Sequence, residues 1–538
     1  MPEVSIAADE GAGPTPGGRS PAGSGRSQVL LILASAQFLM TLDSSVMNVS
    51  IKSVAADLGT TVTGIQTAIT LYTLVMAAFM ITGGKIGALI GRRRAFGIGL
   101  VVYACGSLIT SLAPNLTVLI IGWSLLEGLG AALIMPSTLA IITSTFTVPR
   151  ERQRAISLWA ATSGAGIALG PIVGGLLLEH FWWGSVFLIN VPIAVAGFAF
   201  ALPFVPDSKN PSAQRPDLVG SLLSIAGLGL LLYAIIEAPA HGWASTLVLA
   251  TGIGGLAILA AFVVLERAST HPMLNPHFLR NRSFSAPILS VGLTMFGLFG
   301  SLFVLTQFLQ FQLGFSPLQA GVRMLPAAGA IAVVAPLSSV LVRAFGTRVT
   351  IAIGLFIVTA GLWQISSATG STTYGGVVVG MALLGVGAGL VIPSATASVM
   401  GSLPGEHTGV GGGTNGTFLQ TGGALGVAVV GSLLSNRYDD QLTSALAAYH
   451  LPHALDQTIR GTLGSALGVA RHVGGTIGAT IAHSAHTAFM SGMHLGLLAA
   501  AIVTLAGTLI ALTTIPGKAS TSRRHHPAEV GGEPSPGD

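Results

Sequence analysis

The sequence predicts an all-α integral membrane protein with fourteen transmembrane helices, set out as two six-helix bundles with two extra central helices between them. Three observations carry that prediction. Of 538 residues, 51% are hydrophobic and 8% charged, where a soluble domain has about 25% charged residues. Fourteen apolar runs are long enough to cross a bilayer, which takes about 20 residues as a helix. With the N-terminal tail placed inside, all but Lys52, Arg323, Arg437, Arg460 and Arg471 of the 24 lysines and arginines fall on one side, the bias that marks cytoplasmic segments. Both termini are then cytoplasmic, and the chain is a multi-pass protein of the cytoplasmic membrane. A net charge of +5 distributed this way is a topology signal and not a nucleic-acid signal. The 72 glycines lie largely within apolar runs, where small residues let helices approach closely. The single Cys105 has no partner for an internal disulfide.

Residues 1–27 are rich in Gly, Pro and Ser and lack an apolar run, so they read as a disordered cytoplasmic tail rather than a signal peptide. Within it, "GPTPGGRS" imitates a phosphate loop, with no strand before it and no helix after it to make it one. The N-terminal bundle, 28–204, contains runs at 28–50, 64–86, 95–113, 116–143, 155–178 and 185–204. The polar stretch "PDSKNPSAQRPD" closes it. A linker, 205–284, holds the two extra helices at 217–237 and 244–265, joined outside by "APAHGW". The C-terminal bundle, 285–515, contains runs at 285–311, 322–343, 349–367, 375–400, 412–434 and 493–515. An extracytoplasmic loop over 435–492 interrupts it; "TLGSALGVA" and "TIGATIAHSAHTAF" there predict short surface helices. His450, His453, His472, His483, His486 and His494 in or beside this loop are either solvated polarity or a pH-sensing or metal-binding set. Residues 516–538 read as a second disordered cytoplasmic tail.

The first helix carries an acid in its middle, in "LDSSVMNVSI". Met40, Asp43, Met47 and Ser50 share one helical face. Burial penalises the charged form of a carboxyl, so an acid there is suited to binding and releasing protons. The competing reading is a structural aspartate satisfied locally by Ser44, Ser45 and Asn48. Glu127 in the fourth helix, among Leu125, Leu126 and Leu129, would cost at least about 2.5 kcal/mol as a lone charge in hydrocarbon. It carries a proton, joins a polar network on the cytoplasmic side, or is tolerated near a helix end. In the fifth helix Gly166, Gly170 and Gly174 form a flat stripe, with Pro171 and Gly175 beside it.

These segments, with "GGKIGALIGRRR" between the second and third helices, "GLGAALIMPSTLAII" in the fourth, "GAGIALGPIVGG" in the fifth and "FLINVPIA" entering the sixth, resemble the fourteen-helix drug:proton antiporters of the major facilitator superfamily, the multidrug exporter type. "FLQFQLGFSPLQAGVRMLP" and "GGTNGTFLQTGGALGVAVVGSLL" extend the likeness into the second half. The resemblance implies the major facilitator fold, a hinge and seal at Gly166, Gly170, Pro171, Gly174 and Gly175, and a gating loop at Gly84, Gly91, Arg92, Arg93 and Arg94. It implies a coupling role for Asp43. Two departures stand out. The family's acid in the gating loop is Ala88 here, and its intramembrane Arg and Gln in the fourth helix are Ser124 and Glu127.

The function expected is proton-coupled export of hydrophobic or cationic drugs or antibiotics by alternating access, with Asp43 and Glu127 taking the protons. Met47, Asn48, Gln66, Gln307, Gln310, Trp363, Asn415, Phe418 and Gln420 are candidates to line the substrate cavity, although side chains of these types at helical spacing also serve simply to pack. No catalytic constellation, metal site or nucleotide motif is present, so the chain is expected to be no enzyme and to need no cofactor beyond a proton gradient. Its expected partners are a small amphipathic substrate, protons and the lipid bilayer, without nucleic acid, and it is expected to act as a monomer. Export or flipping of an endogenous lipid or secondary metabolite, a passive channel, and a non-transporting membrane sensor or scaffold are the alternatives.

Overall fold

The structure, a computed structural model, describes residues 23–60, 62–206, 218–268, 277–446 and 453–517. The N-terminal decoy and most of both tails lie outside the described residues. Hydrocarbon offers no partner to a backbone N–H or C=O, so apolar segments satisfy these groups internally as helices. Among the described residues, fourteen helices long and apolar enough to span a membrane result. We label the helices α1 (Gly23–Asp57), α2 (Val62–Ile90), α3 (Arg92–Ser111), α4 (Leu116–Thr145), α5 (Pro149–His180), α6 (Ser185–Phe204), α7 (Leu218–His241), α8 (Thr246–Ala268), α9 (Arg282–Gln312), α10 (Leu318–Phe345), α11 (Thr347–Ser366), α12 (Tyr374–Gly401), α13 (Thr408–Leu446), α14 (His453–Gly461), α15 (Leu463–Val473) and α16 (Gly475–Thr514). α14 and α15 are the two short ones. Outward faces are apolar, as lipid requires: Ile253 on α8 and Val333 on α10 are 64% and 67% exposed.

The packing partners follow the six, two, six order. In the first bundle α1 lies along α5 and α6, α2 along α4, and α3 against α4 and α6. In the second, α9 lies along α12, α13 and α16, while α11 packs on α12 and α16. The bundles meet along two seams: α13 against α2 and α4, and α5 against α10 and α12. The extra pair α7–α8 leans on α2 and α13, pinned where Trp243 Nε1 donates to Ser432 Oγ at 3.0 Å.

The last two spans outrun their apolar cores, and this changes the reading of 435–492. α13 continues to Leu446 and α16 begins at Gly475, so much of the expected loop is helix. The reason is amphipathic packing that an apolar window misses. Tyr438, Leu442 and Leu446 are buried on α13, and Ile481, Ala485, Ala488 and Phe489 on α16. Only α14 and α15 remain as the expected short helices. α14 is tied to α13 by Tyr438 Oη, which donates to Ile459 O at 3.1 Å, and by Arg460, which donates to Asp439 at 3.2 Å as well as to Asp456 of its own helix at 2.8 Å. The hydrogen bond that Arg460 donates to Asp456, with a second to Asp439, holds its guanidinium above its usual range. His486 Nδ1 meets Gln312 Oε1 at 2.6 Å and His494 Nδ1 meets Ser366 O at 2.9 Å, so these two histidines dock α16 onto α9 and α11. His450 lies outside the described residues, and among those described no group of three or more His, Cys, Asp or Glu could hold a metal.

Candidate functional site

Asp43 and Glu127 are brought together inside the first bundle, 2% and 0% exposed. Met40, Met47 and Ser50 are buried on the same face of α1 as Asp43. The Asp43 carboxylate is held by other helices and not by its neighbours in sequence. Trp123 Nε1 of α4 donates to Oδ2 at 2.9 Å and Asn190 Nδ2 of α6 donates to Oδ1 at 2.6 Å. Ser44 instead donates to Met40 O and Ser45 to Ile167 O; the side chain of Asn48 lies outside the described residues. From Asn190 the network continues: Nδ2 also donates to Ser107 Oγ of α3 at 3.3 Å, and Ser107 Oγ donates to Glu127 Oε1 at 2.7 Å. Four helices thus meet in one chain, Trp123–Asp43–Asn190–Ser107–Glu127. The two carboxyls lie within electrostatic reach of each other, and Tyr72 and Tyr103 within reach of both. Glu127 Oε2, Asn190 Oδ1 and both tyrosine hydroxyls make no hydrogen bond among the described residues.

Local backbone geometry makes this meeting feasible. α4 widens into a π-helix over Ile120–Glu127, a distortion frequent at functional sites, and Trp123 and Glu127 both project from it. The widened turn fits against α3 only because glycines face each other. A Cβ on Gly106 would lie 2.6 Å from Gly122 O and 2.7 Å from Glu127 Cγ. Tyr72 of α2 stacks on Trp123 with ring centres 5.1 Å apart and planes 10° apart, and Phe187 meets the other side edge-on at 5.9 Å. Ser107 lies four residues before the end of α3 and Asn190 near the start of α6. The network therefore sits toward the end of the molecule opposite the arginines, and Glu127 joins no polar network on the arginine-rich side. It is no residue of a fraying helix end either. Among the described residues neither carboxyl pairs with a cationic side chain. Two bare charges in so apolar a place are costly.

The arginine-rich end is where the bundles grip each other. Gly91, at φ 105°, makes the turn between α2 and α3 in a conformation open chiefly to glycine. Beside it Arg92 is 8% exposed. Its Nη1 donates to Ala140 O at 3.1 Å, and its Nη2 reaches across to Gly405 O in the loop before α13. With Ala88 in place of the acid expected there, the latch across the bundles is an arginine on backbone carbonyls. Arg93 donates to Leu202 O of α6 at 3.1 Å. Gly84 abuts Gly409 backbone to backbone. The stripe Gly166, Gly170 and Gly174 faces Thr41, Ser45 and Val46 of α1, inside one bundle, whereas Gly164 and Gly175 face Ala328 and Leu318 of α10 across the seam. The side chain of Pro171 lies outside the described residues.

The cavity candidates are scattered. Met47 is buried next to the network, and the side chain of Gln66 lies outside the described residues. Gln420 approaches Met76 Sδ across the α2–α13 seam at 3.9 Å. Asn415 is fully buried, accepting from Thr396 Oγ1 at 3.4 Å within the second bundle. Gln307 and Gln310 are half-buried in α9, where a second π-helix runs over Phe308–Gln312. Trp363 is 62% exposed on α11, a helix packed only against the second bundle, so it faces outward. Phe418 is 36% exposed beside Gly292 of α9. Sequence reasoning missed Trp123, Asn190 and Ser107, the residues that join the two acids. Asn190 lay in plain view within "FLINVPIA"; Ser107 carried no signal.

Comparison with known proteins gives consistent matches. The sequence model of the Major Facilitator Superfamily matches residues 33–427. The chain is 30% identical over 495 residues to the tetracenomycin C resistance and export protein of Streptomyces glaucescens, covering 90% of this chain and 91% of that one. It is 35% identical over 416 residues to the multidrug resistance protein Stp of Mycobacterium tuberculosis, covering 76% of each. The crystal structure of the human organic anion transporter MFSD10 superposes with a TM-score of 0.58 at 14% identity, over 90% of this chain and 97% of that one, a likeness of fold alone.

Proposed function

The chain belongs to the Major Facilitator Superfamily, and from that premise we propose that it is a proton-coupled exporter of hydrophobic or cationic drugs and antibiotics. The names of its relatives support efflux. The observation that carries proton coupling is the pair Asp43 and Glu127, buried, bridged by Asn190 and Ser107, and without a cationic partner among the described residues. On this reading both termini face the cytoplasm, the arginine-rich end is the cytoplasmic end, and the acid network lies toward the outer side. Protons entering from outside neutralise the carboxyls as the bundles rock about the α2–α13 and α5–α10 seams, and substrate leaves in exchange. The energy comes from the proton gradient, and one chain suffices.

The test is solute-induced proton movement in proteoliposomes under an imposed pH gradient, read with an internal pH dye while ethidium or a neutral antibiotic is added. Proton release on addition, abolished by an uncoupler and by Asp43→Asn and reduced by Glu127→Gln, is expected. Solute movement that ignores both pH gradient and voltage would sink the reading, as would an Asp43→Asn protein that still releases protons.

A further inference from the structure

We propose that the seam between the bundles binds an uncharged molecule bearing carbonyl and hydroxyl oxygens, held at mid-depth by Gln37, Trp159, Ser394 and Asn415. These side chains are 6%, 2%, 1% and 0% exposed. Each keeps one buried polar atom without a hydrogen-bond partner among the described residues: Gln37 Oε1, Trp159 Nε1, Ser394 Oγ and Asn415 Nδ2. A buried donor or acceptor left unpaired is costly, so a set of them gathered at one level points to a ligand that pairs them.

Helical spacing does the gathering. At the arginine-rich end Arg152 of α5 reaches α12, its Nη2 standing 3.1 Å from where a Cβ on Gly401 would lie. Seven residues along a helix return to the same face two turns on. From Arg152 that residue is Trp159, and from Gly401, counted back along α12, it is Ser394. The two therefore oppose each other across the α5–α12 seam, about 10 Å deeper into the membrane. One turn past Trp159, Ser163 accepts from Gln37 Nε2 of α1 at 2.9 Å, which leaves Gln37 Oε1 unpaired over the same face. Two residues from Ser394, Thr396 donates to Asn415 Oδ1 of α13 at 3.4 Å and leaves Nδ2 unpaired. Beside Asn415, the sulfur atoms of Met80 and Met135 lie against Gly416, an adaptable apolar surface for the body of a ligand.

Charge selects the class of molecule. Asp43 and Glu127 are the only carboxyls in the apolar runs of the two bundles, and both are enclosed in the first bundle with Trp123, Asn190 and Ser107. A cation in the seam would give up its water and meet no counter-charge. Arg152, the cation on this face of α5, stays two turns away at the C-terminal end of α12, whose dipole it complements. An anion is thus left without a partner at this level too. The Trp159 indole and the Asn415 amide donate to a carbonyl, Gln37 Oε1 accepts from a hydroxyl, and Ser394 does either. Two of the four groups come from each bundle, so the bundles must part to admit the molecule. That the exporter expels this molecule rests on the reading above; that it binds here does not.

Calorimetric titration of the full chain in detergent tests it, with dihydroxyanthraquinone as an uncharged probe carrying carbonyl and hydroxyl groups and ethidium as a flat cation. Saturable binding of the anthraquinone alone is expected. Trp159→Phe, which keeps a ring and loses the N–H, should weaken it about fivefold, as should Ser394→Ala and Asn415→Ala. Trp363→Phe, a like change on the outward face of α11, should leave it unchanged. Asn415→Asp should weaken the anthraquinone and bring in ethidium. Ethidium that binds the parent protein and is lost in the same variants overturns the class of ligand. Anthraquinone binding that Trp159→Phe and Asn415→Ala leave unchanged overturns the site, and no saturable anthraquinone binding overturns both. The expected binding pattern in a protein whose vesicles release no protons on adding the anthraquinone would sink the exporter reading and leave the site standing.

Discussion

Replacing Gly84 by valine is expected to force the two bundles apart at the arginine-rich end. An added Cβ would lie 2.6 Å from Gly409 C and 3.0 Å from Val410 N, where ordinary contact begins at 3.4 Å. The helices must therefore separate by about 1 Å before a single methyl fits, and valine brings two more carbons. α13 has little room to absorb this by tilting. Farther along the same seam a Cβ on Gly413 would lie 2.8 Å from Ile81 Cα, and one on Gly416 3.2 Å from Met135 Sδ. Overpacking of this kind costs about 1–3 kcal/mol. Because the clash exists only where the bundles touch, that cost falls on the closed arrangement and shifts the equilibrium about 5- to 150-fold toward one open at this end. The chain's one cysteine makes the assay simple. With Cys105→Ser as background, spin labels at Arg94 and Phe345, both exposed and in different bundles, report the separation by pulsed dipolar spectroscopy. Longer distances are expected for Gly84→Val, with Gly84→Ala intermediate. A folded Gly84→Val protein with the parent distance distribution would refute the idea that this glycine contact governs closure.

Four further outcomes follow from the same geometry. Ser107→Ala removes the donor to Glu127 and the acceptor for Asn190; destabilisation of about 1–3 kcal/mol, read by pulse proteolysis, and weakened proton coupling are expected, and neither would appear if the network were incidental. Asp43→Asn keeps one oxygen for Trp123, and the Asn190 amide can turn its free Oδ1 toward the new NH₂, so stability should fall by only about 1 kcal/mol while substrate-driven proton release is lost. Gly170→Leu drives a side chain into Ser45 of α1 and should abolish folded protein on size-exclusion chromatography, whereas Gly229→Leu, with nothing within 4 Å of its Cβ, should be tolerated. Arg460→Ala frees α14 from Asp439 of α13, so amide exchange over 453–473 should accelerate without change elsewhere.

The architecture was legible because the bilayer imposes it. Length, apolarity and the placement of arginines fix helix number and order with little help from tertiary contacts, so each of the fourteen apolar runs meets a spanning helix. Helix ends were less legible. At α13 and α16 the helix is extended by Tyr438, Leu442, Ile481 and Phe489, whose burial depends on neighbours that no local window sees. The site was half legible. Asp43 and Glu127 betray themselves as acids in oil, but their partnership depends on Asn190 and Ser107 arriving from two other helices and on Trp123, one turn from Glu127. A serine in a membrane helix ordinarily bonds its own backbone, as Thr110 does to Gly106 O at 2.8 Å, so nothing in the sequence sets Ser107 apart. Trp363 misled for the opposite reason: lipid tolerates a large aromatic as readily as a cavity does.

The acid network and the closing seam occupy different places, and α2 is the part common to both. Near one end Tyr72 stacks on Trp123, the donor to Asp43, and Ser124 Oγ donates to Ala68 O at 2.7 Å. Twelve residues on, about 18 Å along a helix, Gly84 lies against Gly409. Between them Thr417 of α13 donates to Ala77 O at 3.1 Å. A carboxyl that changes its charge changes what Trp123 and Asn190 can donate to, and Trp123 forms the floor on which α2 rests. α1 offers a parallel route, since Ser45 bonds Ile167 O of α5 and α5 carries Gly164 to the α10 seam. Both routes run through glycine contacts too close to deform gradually. A packed backbone contact of this kind is either made or broken, which is what the proposed exporter needs in order to convert the arrival of a proton into a choice between two shapes.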